Sequence, residues 1–111
     1  MTDVNLDKIK KDGPAFFRLY RKRGFSLTLE ILDAFPDSAA KEVVFFDALR
    51  ECGSYLNEFY RVKGNLLKYN MIGYRLDDDY DKVIFLTEQG REVLQRLDEL
   101  NRFVLKCQDK E

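Results

Sequence analysis

The chain has 111 residues, 45% of them apolar and 35% charged, with a net charge of −1 and no histidine. These values fit one soluble globular domain with a single core, and the missing histidine excludes imidazole metal sites, Ser-His triads and histidine proton switches. No apolar run approaches the ~18 residues of a membrane span, and the opening MTDVNLDKIKKDG lacks the apolar stretch of a signal peptide, so no membrane partner is expected.

The first dozen residues are polar and expected to fray. Asp12-Gly13-Pro14 then signals a helix start, because Asp caps well and Pro suits the first helical turn. The helix predicted over 14–23 carries Phe16, Phe17 and Tyr20 on one side, has Arg18, Arg21, Lys22 and Arg23 around the rest, and is ended by Gly24. A second helix, Leu27–Phe35, begins at Ser26 or Thr28, buries Leu27, Ile31, Leu32 and Phe35, and stops at Pro36.

Residues 41–52 are open to two readings: one helix, or a short strand at Val43-Val44 followed by a helix from Phe46 to Cys52. The strand is the preferred reading. Gly53 makes the next turn, and Ser54 is expected to cap a helix whose apolar stripe is Tyr55, Phe59, Val62, Leu66 and Tyr69. The opposite arc carries Asn57, Tyr60, Arg61, Gly64 and Lys68, with Asn65 at its edge, and Asn70 suits a left-handed C-cap.

Two strands follow, Ile72–Leu76 and Lys82–Leu86, around the acidic turn Asp77-Asp78-Asp79-Tyr80-Asp81. Thr87 caps the last helix, where Val93, Leu97, Leu100 and Val104 recur at helical spacing. This stripe reads either as intrachain core or as a dimer seam; a helix of about 19 residues would reach roughly 28 Å, long for one small domain to cover, so the dimer seam is the preferred reading. The chain contains no internal repeat and no low-complexity segment.

Charge is segregated along this order. Residues 1–24 carry seven Lys/Arg against three acids, and residues 54–75 carry four against one. Residues 26–53 and 76–111 are each net acidic by four. A chain with a pI near 5.6 can therefore still present a positive patch, on its N-terminal segment and on the helix after Ser54.

Several motifs resemble a known family. Phe46-Asp47-Ala48-Leu49-Arg50 resembles the F-x-x-L helix that opens the helix-turn-helix of MarR-, HxlR- and PadR-like regulators of archaea and bacteria. Phe59-Tyr60-Arg61 and Leu66–Ile72 resemble that family's recognition helix and its exit, L-x-x-x-G-L-I, with Asn70 in place of the glycine. Leu86-Thr87-Glu88-Gln89-Gly90-Arg91-Glu92 is close to the L-T-E-x-G-R-E that follows the family's wing, and is the most specific of these motifs.

The resemblance spans about Ser26 to Leu100 and implies a winged helix-turn-helix: mainly α with a small β-hairpin, an α+β domain with an extra N-terminal helix and a long C-terminal helix. The expected layout is one domain over 1–111, with a core at 26–87, a dimerisation helix at 88–106 and the N-terminal helix at 14–23. The implied function is sequence-specific binding of double-stranded DNA by a homodimeric transcriptional regulator, through Asn57, Tyr60, Arg61, Gly64, Asn65 and Lys68. In that role Arg61 suits guanine edges, the asparagines suit adenine, and Lys68 and Tyr60 suit phosphate.

The wing tip departs from the family, carrying four carboxylates where Arg or Lys is usual. It therefore leaves open a second reading, a protein-interaction module that uses the acidic wing and the C-terminal helix. Gly64 reads either as a point of close backbone approach to phosphate or as a tolerated kink. The N-terminal basic cluster reads either as extra phosphate contacts or as a solvated helix face. A metal loop at DDDYD lacks the EF-hand pattern, and no nucleophile is paired with a base, so no metal, cofactor or catalytic residues are expected. Cys52 and Cys107 have no redox or zinc spacing and are expected to be reduced thiols of a cytoplasmic protein.

Overall fold

The computed structural model describes residues 15–108, with side chains from Arg18 onward. The helix-start signal at Asp12–Pro14, the polar opening and the side chains of Phe16 and Phe17 lie outside the described residues. The first elements among the described residues are two helices, α1 (Ala15–Tyr20) and α2 (Arg23–Ala34). A 3-10 turn, Pro36–Ser38, leads into β1 (Ala39–Lys41) and α3 (Glu42–Glu51). Then come α4 (Leu56–Lys68), β2 (Ile72–Leu76), β3 (Lys82–Leu86) and α5 (Glu88–Gln108). The architecture is mostly helical, with one small antiparallel sheet of order β1-β3-β2. No helix among the described residues is long and apolar enough to cross a membrane.

The core is built where the helices cross in front of that sheet. Phe25, Leu29 and Leu32 of α2, Phe45 and Leu49 of α3, and Phe59, Val62 and Leu66 of α4 are fully buried with Ile84 of β3. The Phe45 and Phe59 rings meet edge-on at 5.1 Å, and Phe46 adds a third ring 5.9 Å from Phe59. Such pairs add directional attraction beyond the area they bury.

Three sequence expectations are corrected here. Gly24 does not end a helix. The break falls at Arg21-Lys22, with Lys22 extended, and Gly24 is the second residue of α2. The reason is packing: a Cβ at Gly24 would sit 2.4 Å from the Glu58 carbonyl oxygen of α4. Glycine is used for close helix approach, not for a stop.

The strand before α3 is at Ala39–Lys41, not at Val43-Val44. Ala40 pairs with Ile84, while both valines lie exposed in the first turns of α3. Their β propensity is outweighed by Phe45 and Leu49, whose four-residue spacing buries both on one helical face.

The apolar stripe of α4 is shorter than its sequence pattern. Phe59, Val62 and Leu66 are buried, but Tyr55 and Tyr69 flank the helix as cap residues and are exposed. Ser54 supports the N-terminus one residue further out than expected. Its hydroxyl donates to Glu58 Oε1 at 2.9 Å, and the same oxygen accepts the Tyr55 N–H at 3.1 Å.

The hairpin strands have the expected bounds, with Ile72 opposite Leu86 and Leu76 opposite Lys82. Asn70 takes the left-handed conformation, φ 58°, required to leave α4. The segment after β3 is a joint. The Thr87 hydroxyl donates to the Asn70 carbonyl at 2.6 Å and accepts the Gly90 N–H at 2.9 Å, so Thr87 caps α5 while holding the end of α4. Gln89 meets the Asn70 side chain, and Gly90 packs so closely that a Cβ would lie 2.1 Å from the Met71 carbonyl oxygen. Arg91 reaches the other way, donating to Ser38 Oγ at 2.8 Å and lying 4.0 Å from Asp33. Every polar residue of this motif from Thr87 to Arg91 except Glu88 is thus occupied by the fold.

Candidate nucleic-acid interface

The arc of α4 opposite its buried stripe is presented to solvent. Asn57, Tyr60, Arg61, Gly64 and Lys68 are exposed, and Asn65 is half-buried at the edge of the arc. Among the described residues, the side chains of Asn57, Arg61, Asn65 and Lys68 have no hydrogen bond or ion pair to another side chain or to the backbone. The Lys68 ammonium lies 5.6 Å from the centre of the Tyr69 ring. The only acid of the helix, Glu58, is turned to its N-terminus. The Tyr55 N–H, then the Ser54 hydroxyl, hold its carboxyl below the usual range. Its negative charge also complements the helix dipole there.

Both flanks of this arc are basic. Residues 63 and 65 are two apart, so they project from nearly opposite sides of the helix. On one side Lys63 and Leu67 join Tyr74, Arg75, Leu76 and Lys82 of the hairpin around a shallow depression. There the Lys63 ammonium lies 5.0 Å from the Tyr74 ring centre and 5.6 Å from that of Tyr60. The Tyr74 hydroxyl donates to Glu42 at 2.8 Å; burial, then that bond, push its pKa well up, so it stays protonated. On the other side Asn65 and Lys68 join Arg18, Leu19, Lys22 and Tyr69 in a cleft. No carboxylate lines either depression.

The distribution of ion pairs sharpens this asymmetry. Lys41, Arg50, Arg91, Arg96 and Arg102 each lie within 4.0 Å of a carboxylate. Among the described residues, Arg18, Arg21, Lys22, Arg23, Arg61, Lys63, Lys68, Arg75, Lys82 and Lys106 have none at that distance. Seven of these ten, all but Arg21, Arg23 and Lys106, line α4 and its two flanks.

The acidic hairpin tip is a folded turn. Asp77 Oδ1 accepts the N–H groups of Asp79 at 2.9 Å and Asp81 at 3.0 Å, and these bonds, with that of Asp81 first, depress the Asp77 pKa. Asp77, Asp79 and Asp81 can bring one carboxylate oxygen each within 4.8 Å of one another, but the cation facing two of them is Lys41, 3.2 Å from Asp81 and 3.7 Å from Asp77. Asp78 and Asp79 are left exposed. Were this face to bind DNA, replacing both with Lys should strengthen binding to random duplex at low salt, because the two reversals per chain would add phosphate attraction near it. A double variant that binds no better than the parent places the tip away from DNA.

On α5 the expected seam divides in two. Val93 and Leu97 are half-buried against the chain's own core, whereas Leu100 and Val104 are exposed, as are Phe103 and Leu105 beside them. The helix extends two residues past the expected 106, to Gln108. Both cysteines are free thiols and exposed.

The structure brings the six expected α4 residues together on one arc. It adds Lys63, Arg75 and Lys82, and Arg18 and Lys22, on the flanks. The flanking residues were countable in the sequence as positive charge, but their convergence depends on how the hairpin and α1 pack beside α4. No family model, curated protein or solved structure matches this chain.

Proposed function

We propose that this protein is a homodimeric winged helix-turn-helix regulator of transcription that binds double-stranded DNA sequence-specifically, with α4 in the major groove and the β2–β3 hairpin as its wing. It would act in the cytoplasm as a binding protein without cofactor, metal or catalytic role. The observation that carries this reading is that all seven cations along α4 and its two flanks lack a carboxylate partner, while five of the eight described cations elsewhere have one. A helix about 20 Å long fits a major groove, and cations on both sides of it suit the two phosphate strands that border that groove. The element order helix, strand, helix, helix, hairpin supports the same assignment.

A second reading, a protein-interaction module, draws support from the exposed tip residues Asp78, Asp79 and Tyr80 and from the exposed apolar end of α5. Selection from a random duplex pool separates the two. The DNA reading expects a preferred site to be enriched. Arg61→Ala should then weaken binding to that site by about 1–3 kcal/mol and relax the preference at one position. Lys68→Ala should weaken all duplexes alike and lower the log–log salt slope by about 1 per subunit. Failure to enrich any duplex, with binding lost near physiological salt, would favour the protein-interaction module.

A further inference from the structure

We propose that the cleft between α1, the Arg21-Lys22 turn and the C-terminal end of α4 is a phosphate-binding site that grips the DNA backbone beside the reading helix. This inference rests on the DNA-binding reading and extends it to the N-terminal segment, which then forms part of the interface.

The cleft is fixed by packing at its base. Leu19 is buried and anchors α1, leaving its neighbour Arg18 exposed. Gly24 lets the start of α2 press against the Glu58–Val62 stretch of α4, which draws Lys22 alongside the last turns of that helix. Arg18, Lys22 and Lys68 then share one concavity with Asn65 and Tyr69.

Three cations meet there without a carboxylate, and the Asn65 amide, half-buried, has no hydrogen-bond partner among the described residues. Like charges gathered this way repel one another, and an anion relieves the repulsion. The donor set of guanidinium, ammonium groups and a carboxamide matches the two free oxygens of a phosphodiester. Helix α2 begins at the same place with no acid in its first turn and no side-chain cap, so its positive end adds to the field. Continuity identifies the source of the phosphate as duplex DNA. Lys68 belongs both to the cleft and to the outer arc of α4, so a duplex seated on that arc carries a strand past Arg18 and Lys22.

The test compares the full-length parent with Arg18→Gln/Lys22→Gln and with the charge-conserving Arg18→Lys/Lys22→Arg. Both positions are exposed, so neither variant should unfold below the parent, and the glutamine variant, relieved of the mutual repulsion, should unfold at or slightly above it. The parent's selected duplex and a scrambled duplex are titrated across a potassium chloride series. The glutamine variant should keep the parent's sequence preference, bind both duplexes on the order of tenfold or more weakly at 0.1 M salt, and lose about 2 from the slope per subunit. The charge-conserving variant should restore most of the slope. Methylphosphonate placed singly along the duplex should weaken the parent at one or two backbone positions per half-site and leave the glutamine variant unaffected there.

A parent that selects a duplex, with a glutamine variant equal to it in affinity and slope, overturns the cleft assignment and leaves the DNA reading standing. A variant with altered sequence preference also overturns it, since the cleft would then read bases. Inorganic phosphate that protects the parent against heat, with DNA binding unchanged in the glutamine variant, reassigns the cleft to a free anion. A parent that enriches no duplex removes both readings together.

Discussion

Gly24→Ala should cost about 3 kcal/mol or more of folding stability, lowering the unfolding temperature by at least ten degrees or so. The added methyl would meet the Glu58 carbonyl oxygen at 2.4 Å, its carbonyl carbon at 2.9 Å and Val62 Cγ2 at 3.3 Å. Two of these are backbone atoms inside a helix, so no side-chain rotation relieves the overlap. Helices α2 and α4 must move apart, loosening contacts around Phe25 and Phe59 that are otherwise sealed from water. Thermal unfolding followed by circular dichroism measures the effect, and a variant within two degrees of the parent would show that the helices cross less tightly.

The same experiment has an internal control in Gly64→Ala. A Cβ there meets nothing within 4 Å, and the residue lies in the exposed interior of α4. Alanine should therefore stabilise by up to about 1 kcal/mol. Duplex binding by this stabilised variant separates the two readings of Gly64. Weaker binding assigns the glycine to close backbone approach, and unchanged binding makes it a tolerated break in helix propensity.

The second large effect concerns assembly. The parent should sediment as a dimer at micromolar concentration, and Leu100→Glu/Val104→Glu should sediment as a monomer of about 13.1 kDa. Helix α5 has 21 residues, about 30 Å, and every residue from Asp98 to Gln108 is exposed in the single chain. Leu100, Phe103, Val104 and Leu105 are each more than half exposed, at 56%, 63%, 58% and 54%. Apolar surface left in water is unfavourable by about 25 cal/mol per Å², so a contiguous set of this size favours burial against a partner copy. The charges would stand in the seam, where isolated carboxylates are strongly disfavoured. On the proposed DNA-binding function, loss of the dimer should also cost affinity for a selected duplex, because two linked half-sites would bind far more tightly than one. A parent that sediments only at 13.1 kDa excludes the dimer.

The parts of the fold legible in the sequence are those set by local chemistry. The five-residue acidic turn between two apolar runs gave the hairpin bounds, Asn70 supplied a residue that tolerates positive φ, and Thr87 supplied a side-chain cap. What could not be read depended on contacts between distant segments. Gly24 looks like a stop until Glu58 is placed beside it. Val43-Val44 looks like a strand until Ala39–Lys41 is seen to pair with β3. For the candidate site, the outward arc of α4 followed from periodicity alone. Its two basic flanks did not, because Arg18 and Lys82 are far from α4 in sequence and reach it through tertiary packing.

The joint at Thr87–Arg91 has a further mechanical consequence. Its bonds tie the exit of α4 to the start of α5, and Arg91 ties the same point to the turn after α2, so the chain would move as a crank with α4 at one end and the apolar end of α5 at the other. In a dimer pivoting on α5, a few degrees of rotation at the seam would be geared into a change in the distance between the two α4 helices. The distance between half-sites that such a protein tolerates would then be set by this hinge-free corner and not by any residue that touches a base.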